Sequence, residues 1–186
     1  MWGDHLFFLQ MSGTPGSGKS TLAKRIIQHV HAVIIDHDVS KTALLHTLPD
    51  GNFSDGEIGK MAYDVDWSLV EYHLSLGQNV ILDSPCLYDE ILDKGIAIST
   101  KYGATYRYIE CRHENHVEIN TRRRNRVRRP SQIDQVSYEN WSKMNERCKR
   151  PTNHPYLQID TMDNREIPIE RIMSYLLKNQ EENAFR

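Results

Sequence analysis

The chain has 186 residues, 39% of them hydrophobic, which is the size and apolar content of one globular domain. We therefore expect a single domain over residues 1–186. No apolar run is long enough to cross a bilayer, and the N-terminus lacks the basic and then apolar layout of a secretory signal. We expect a cytoplasmic protein with no membrane association. The three cysteines lie too far apart in sequence for a disulfide framework or a metal knuckle.

Charge is distributed unevenly along the chain. The formal net charge is −2, but residues 101–150 contain 13 Lys and Arg against 6 Asp and Glu, so this part carries +7 and the rest −9. Six arginines fall within the eight positions from Arg122 to Arg129. Such a segment fits a solvated helix face, a nucleic-acid patch or a set of phosphate clamps.

The most specific motif follows a predicted strand at residues 6–9. The octapeptide Gly-Thr-Pro-Gly-Ser-Gly-Lys-Ser matches the phosphate-binding pattern G-x-x-x-x-G-K-[ST] at each fixed position. Its glycines let backbone N–H groups surround a phosphate chain, Lys19 adds a positive charge for the β and γ phosphates, and Ser20 offers a hydroxyl to Mg²⁺. The predicted nucleotide-binding residues are Gly13, Thr14, Pro15, Gly16, Ser17, Gly18, Lys19, Ser20 and Thr21.

Strand-like and helix-like segments alternate along the rest of the chain. Further strands are predicted at residues 32–35, 79–82, 105–109 and 156–159, and helices at 20–30, 66–76 and 168–177. This alternation favours an α/β fold, a parallel sheet wrapped by helices, in which ligands bind outside the carboxyl ends of the strands.

Two carboxylates, Asp36 and Asp38, follow the second predicted strand. A carboxylate near the transferred phosphate could accept the proton of an attacking hydroxyl. The alternative is a helix cap, since Asp38 could cap a helix beginning near Val39. We interpret His37, between them, as a turn residue.

The third predicted strand ends at Asp83, which precedes Ser84 and Pro85. A carboxylate in this place can hold Mg²⁺ directly or through water, so Asp83 joins Ser20 as a candidate metal ligand. Its alternative role is to cap the turn before Pro85.

The arginine cluster contains two pairs at helical i,i+4 spacing. One pair is Arg122 and Arg126, and the other is Arg124 and Arg128. A helix face with two guanidinium groups can clamp phosphates and neutralise charge in the transition state. We take the first pair as catalytic candidates and the second as nucleotide contacts, and spacing leaves open which of them reach the phosphates.

The acceptor region is predicted between residues 41 and 72, where aromatic and acidic residues mix. Tyr63, Asp64 and Asp36 are candidate acceptor-binding residues. Aromatic side chains at helical spacing are also typical of a core, and that alternative stays open.

Taken in order, these pieces make the chain resemble the small P-loop kinases of the zeta-toxin-like or AAA_33 group, which includes polynucleotide 5′-kinase domains and chloramphenicol phosphotransferase. The resemblance is carried by residues 13–20, 33–38, 77–85 and 109–126, with 157–161 closing the series. It implies a three-layer fold around five parallel strands, a mobile arginine-rich lid at about residues 112–135, and Asp38 as the residue that activates the acceptor hydroxyl. It does not choose the acceptor, because the named relatives phosphorylate very different molecules.

These observations predict an ATP-dependent kinase that moves the γ-phosphoryl of Mg-ATP to a hydroxyl acceptor, either a small molecule or a nucleotide. One alternative is a polynucleotide 5′-hydroxyl kinase, which the +7 segment favours, with nucleic acid as the acceptor. Others are a nucleoside monophosphate kinase and a nucleotide-dependent switch or ATPase that phosphorylates nothing. No motif indicates a partner protein.

Overall fold

Strands and helices alternate in the computed structural model, which describes residues 6–49, 51–125, 129–132, 135–162 and 167–178. The strands within this part of the chain are β1 (Phe7–Ser12), β2 (Val33–Asp36), β3 (Val80–Asp83), β4 (Thr105–Arg112) and β5 (Leu157–Asp160). The helices are α1 (Lys19–Ile26), α2 (His37–Thr47), α3 (Asp55–Ser75), α4 (Asp89–Lys101), α5 (His116–Asn125), α6 (Tyr138–Arg147) and α7 (Ile169–Leu177).

The five strands form one parallel sheet with the order β2-β3-β1-β4-β5. The predicted α/β class and the five predicted strands are confirmed. Because the strands are parallel, their carboxyl ends meet at one edge of the sheet, as expected for a ligand site. Asp36 and Asp83, the last residues of β2 and β3, are direct partners in the register between these strands.

The core lies on both faces of the sheet, which makes three layers. On one face, Phe8 of β1 packs with Trp67 of α3 and Leu92 of α4. On the other face, Phe7 packs with Leu22 of α1 and Ile172 of α7. All six residues of β1 are buried, as expected for the central strand of a parallel sheet covered by helices on both sides.

Helix α3 begins eleven residues before the predicted start at Asp66. Its start is set by a capping box, in which the Ser54 hydroxyl accepts from the Glu57 backbone N–H at 3.3 Å and the Glu57 carboxylate accepts from the Ser54 N–H at 2.8 Å. The two glycines that follow, Gly56 and Gly59, weaken the helical pattern in the sequence. None of the described helices is long and apolar enough to cross a membrane.

Candidate active site

The phosphate-binding loop connects β1 to α1, as predicted, and its shape depends on glycine. Gly13, Gly16 and Gly18 have φ angles of 135°, 90° and 90°, which L side chains rarely adopt. A Cβ atom at Gly13 would lie 2.3 Å from the Cys111 carbonyl oxygen. The loop backbone therefore turns sharply against β4, as a loop that binds a phosphate chain through its backbone N–H groups requires.

Lys19 lies across the mouth of this loop. Its ammonium group donates to the carbonyl of Gly13 at 2.8 Å and to that of Thr14 at 3.3 Å. The far side of the loop is tied to the sheet, since the Thr161 hydroxyl lies 2.6 Å from the Ser17 carbonyl. The loop and its lysine are thus held in place by the protein itself.

Asp83 faces the same cleft from the end of β3. It is only 4% exposed, and burial raises the pKa of its carboxyl group, while Lys19 and the Ser20 hydroxyl lower that pKa and Asp36 and Asp38 raise it further. Its Oδ2 atom is buried without a hydrogen-bond partner in the described part of the chain. Buried polar atoms normally have a hydrogen-bond partner or a bound ion, so this oxygen is a candidate ligand for a cation.

Mg²⁺ fits this pair of residues. It prefers oxygen ligands and is usually held by one or two carboxylates together with substrate phosphates. Asp83 supplies a carboxylate, and Ser20, the second residue of α1, supplies a hydroxyl beside it. The described residues contain no cluster of three or more His, Cys, Asp or Glu that could hold a metal, so the remaining ligands of a Mg²⁺ ion here would be water and phosphate oxygens.

Asp36 and Asp38 lie at the start of α2. The Asp36 carboxylate caps this helix by accepting from the Asp38 backbone N–H at 3.0 Å, and its other oxygen accepts from Arg129 at 2.5 Å. The suggested alternative, that Asp38 is the cap of a helix beginning near Val39, is therefore wrong. Asp38 lies in the first turn, so its carboxylate is available for other contacts.

Those contacts come from the segment that follows the arginines. The Asp38 carboxylate accepts from Gln132 Nε2 at 2.7 Å and from Ser131 Oγ at 3.3 Å. Ser131 also accepts from the Thr42 hydroxyl at 3.0 Å, which connects this segment to α2. The start of α2 thus forms one wall of a cleft that residues 129–132 partly cover.

The cleft has a volume of about 850 Å³ and contains residues of the phosphate-binding loop together with the carboxylates at the strand ends. Its lining includes the loop and helix residues Pro15, Gly16, Gly18, Lys19, Ser20 and Thr21, the carboxylates Asp36, Asp38 and Asp83, and Arg122, Arg123 and Arg129. Within the described residues, the phosphate-binding loop, the candidate metal ligands and the candidate base therefore share one space.

The structure does not group the arginines into the two predicted pairs. Arg122 lines the cleft but is already paired with Glu118 at 2.6 Å and donates to the Thr161 carbonyl at 2.9 Å. Arg124 is exposed, lies 3.4 Å from the Thr121 hydroxyl and does not line the cleft. Arg126 and Arg128 lie outside the described residues.

Two other arginines, which spacing did not single out, reach the cleft. Arg123 is buried, and its aliphatic stem packs so closely on the loop that a Cβ atom at Gly16 would lie 3.0 Å from Arg123 Cγ. Arg129 reaches Asp36 across the cleft. No signal in the sequence distinguishes these two from the neighbouring arginines.

Of the other acceptor candidates, Tyr63 lies behind the cleft and Asp64 outside it. The Tyr63 hydroxyl donates to the Pro85 carbonyl at 2.8 Å, and burial raises the pKa of this phenol, which keeps it neutral. Asp64 is exposed. His37, interpreted from the sequence as a turn residue, is instead the first residue of α2 and lines the cleft.

This combination of a parallel sheet, a phosphate-binding loop between β1 and α1, and carboxylates at the neighbouring strand ends defines the class of P-loop kinase folds. The family model AAA_33, described as an AAA domain, matches residues 9–151, and the chain belongs to this family. No curated protein sequence matches the chain significantly.

Solved structures with a similar fold include kinases and nucleotide-bound proteins. Kti12 from Chaetomium thermophilum, in complex with ADP-AlF3, is 17% identical, with 92% of this chain and 100% of that chain covered and a TM-score of 0.63. The APS kinase CysC from Mycobacterium tuberculosis, in complex with AMPPNP and APS, is 13% identical, with 95% and 100% covered and a TM-score of 0.59. A gluconokinase from Sinorhizobium meliloti 1021 is 14% identical, with 92% and 89% covered and a TM-score of 0.54. At these identities the likeness establishes the fold.

Proposed function

We propose that this protein is an ATP-dependent kinase that moves the γ-phosphoryl group of Mg-ATP to a hydroxyl group of an acceptor. The observation that carries the proposal is the shared cleft, in which the phosphate-binding loop and the Asp38 carboxylate line the same space. Loops of this type bind nucleoside triphosphates, and a carboxylate beside the transferred group can accept the hydroxyl proton.

The loop residues form the donor side. The loop from Gly13 to Gly18 would offer its unpaired backbone N–H groups to the phosphates, and Lys19, now held by two loop carbonyls, would exchange these contacts for phosphate oxygens. Ser20 and Asp83 would hold Mg²⁺, which would supply positive charge to the phosphates when bound. Thr21 lies at the cleft beside Ser20.

The residues at the start of α2 form the acceptor side. Asp38 would accept the proton of the attacking hydroxyl, and Gln132, which donates to it at 2.7 Å, orients its carboxylate. Arg122, which lines the cleft, and Arg126 are our candidates for stabilising the transferred group, whereas Arg124 does not line the cleft. An arginine that reaches the transition state can contribute about 10³ to 10⁵ in rate.

Transfer of label from γ-labelled ATP tests this function. The acceptors are D-hexoses and aldonates, nucleosides, nucleoside monophosphates and 5′-hydroxyl oligonucleotides, each assayed with Mg²⁺ and with EDTA. We expect Mg²⁺-dependent labelling of one acceptor class. ATP hydrolysis with no labelled acceptor would contradict a kinase and favour an ATPase or a nucleotide-dependent switch.

A polynucleotide 5′-hydroxyl kinase is the second candidate, favoured by the +7 charge of residues 101–150. A steep fall in oligonucleotide labelling as salt rises would support this acceptor, because displaced counterions set that slope. A flat salt response would contradict it.

A further inference from the structure

We infer that His37 binds the phosphoryl acceptor, by accepting a hydrogen bond at Nε2 from a second hydroxyl group, one that is not phosphorylated. The inference rests on the proposed function, and it adds that the acceptor carries at least two hydroxyl groups. His37 lies between Asp36 and Asp38 and lines the cleft with them.

A buried carboxylate holds the other ring nitrogen. His37 Nδ1 lies 2.7 Å from Asp66 Oδ2, and Asp66, in the middle of α3, is fully buried. The second oxygen of Asp66 accepts from the Ser40 hydroxyl at 2.5 Å. A buried carboxylate is costly unless it is paired and hydrogen-bonded, so both contacts keep Asp66 in place.

In the neutral imidazole ring, the contact with Asp66 determines what Nε2 can do. An ionised carboxylate only accepts hydrogen bonds, so Nδ1 of His37 must donate. In the neutral imidazole the proton is then on Nδ1, and Nε2 is left with a lone pair that accepts. A carboxylate orients a catalytic or metal-binding histidine in the same way in other proteins.

The plane of the imidazole ring is fixed as well. It stacks on the Tyr63 ring with the centroids 4.0 Å apart and an interplanar angle of 23°. Tyr63 is itself held by its hydrogen bond to the Pro85 carbonyl, in the loop after β3. Both groups that hold the His37 ring therefore come from α3, and no hydrogen bond within the described chain occupies Nε2.

The other groups of the cleft select the ligand. Asp38 lines the cleft with His37 and its carboxylate accepts hydrogen bonds, whereas Asp36 already accepts from Arg129 and Asp83 is assigned to Mg²⁺. A ligand that pairs with Asp38 and with Nε2 must bring at least two donors. A molecule with neighbouring hydroxyl groups does so, with one hydroxyl at Asp38 and another at His37.

Two substitutions separate the roles of the two ring nitrogens. In His37→Asn the amide nitrogen replaces Nδ1 and still donates to Asp66, but nothing reaches the acceptor. In His37→Gln the longer amide replaces Nε2 and still offers an oxygen to the acceptor. Asp66→Asn allows Nδ1 to accept, which turns Nε2 into a donor.

The assay uses full-length protein and γ-labelled ATP. Its acceptors are ribonucleosides, D-hexoses and 5′-hydroxyl oligoribonucleotides, each compared with its analogue lacking one hydroxyl. We expect His37→Asn and Asp66→Asn to raise the acceptor KM about tenfold or more with the ATP KM unchanged, and His37→Gln to stay closer to wild type. Removing the second hydroxyl from the acceptor should raise the acceptor KM of wild type by a similar factor. It should change the acceptor KM of His37→Asn little.

His73→Asn is the matched control. His73 Nδ1 also pairs with a side-chain oxygen at 2.7 Å, that of Gln78, at the far end of α3 away from the cleft. An acceptor KM for His37→Asn equal to wild type would overturn the inference, as would equal impairment of His37→Asn and His37→Gln, which indicates a structural role. If wild type labels no acceptor at all, the proposed function fails first, and this inference fails with it.

Discussion

The two sides of the cleft are formed by different parts of the chain, one mainly by backbone and the other by side chains. The proposed nucleotide side is mainly backbone from one continuous octapeptide, whose glycines turn the chain against β4. The proposed acceptor side is made of side chains from α2, the end of β3 and residues 129–132, and α3 supports it through Asp66, which does not line the cleft. A backbone site binds the part of the substrate that is always the same, the phosphate chain, whereas a side-chain site can change its ligand without changing the fold.

The largest expected effect is on the acceptor side. Asp38→Asn removes the candidate base but keeps the size and position of the side chain, so we expect transfer to fall about 10² to 10⁴-fold with the ATP dissociation constant nearly unchanged. Labelling assays and equilibrium ATP binding measure the two quantities. Asp89→Asn, at an exposed helix start outside the cleft, is the control. Equal transfer by Asp38→Asn and wild type would show that the acceptor side needs no base.

Substitution of Asp83 should change the stability and the activity of the protein in opposite directions. Burial raises the pKa of Asp83, so the folded protein holds this proton more tightly than the unfolded chain. Stability therefore falls as pH rises from the ordinary value of 3.8 towards the raised value, and the loss is complete above it. We expect Asp83→Asn to raise the unfolding midpoint at about pH 8 without Mg²⁺ or nucleotide, and to give no gain near about pH 3.

The same variant should lose transfer activity about a hundredfold or more, because a ligand for the phosphate-bound metal is gone. Thermal unfolding scans at the two pH values and labelling assays measure both effects. A variant that is less stable than wild type at the higher pH would contradict the account of Asp83 as a buried carboxylate whose charge destabilises the fold when no cation is bound.

On the nucleotide side, Gly13→Ala should damage the loop itself. The new methyl group would lie 2.3 Å from the Cys111 carbonyl oxygen, at a φ of 135°. We expect a loss of about 2 kcal/mol or more in the free energy of unfolding, together with loss of nucleotide binding. Urea denaturation and nucleotide titration check this, and unchanged binding would show that the loop tolerates a side chain there.

The smallest expected effect is a gain, in the helix that supports the acceptor side. Gly56 and Gly59 lie in α3, and a Cβ atom at either would meet nothing within 4 Å. Alanine at each position should therefore stabilise the protein by about 0.5 to 1 kcal/mol through higher helix propensity. Urea denaturation measures the gain, and destabilisation would show that these glycines have a packing role.

The sequence predicted the nucleotide side better than the acceptor side, for a physical reason. A loop that wraps a phosphate needs glycine and lysine at fixed spacing within eight residues, so the motif is visible in the chain. Likewise, the hydrophobic periodicity and the turn residues indicated five strands in chain order, and all five strands form. The start of α3 was missed although Ser54 and Glu57 have the spacing of a capping box.

The partners of His37 could not be predicted in this way. Asp66 lies 29 positions further along the chain, in a helix whose pattern indicates only a buried face, and the pairing depends on how α3 packs against the start of α2. Similarly, Arg123 and Arg129 have no spacing that distinguishes them from Arg124. Both arginines line the cleft because of where the folded chain brings them, and Arg123 packs on the phosphate-binding loop.

The amino-acid sequence by itself thus determined the class of fold, the phosphate-binding loop and the carboxylates at the strand ends, because each depends on local chemistry and on the common direction of parallel strands. Only the tertiary structure decided which side chains meet across the cleft. Those contacts join residues from separate helices and loops, and their geometry is set by packing, which no local pattern encodes.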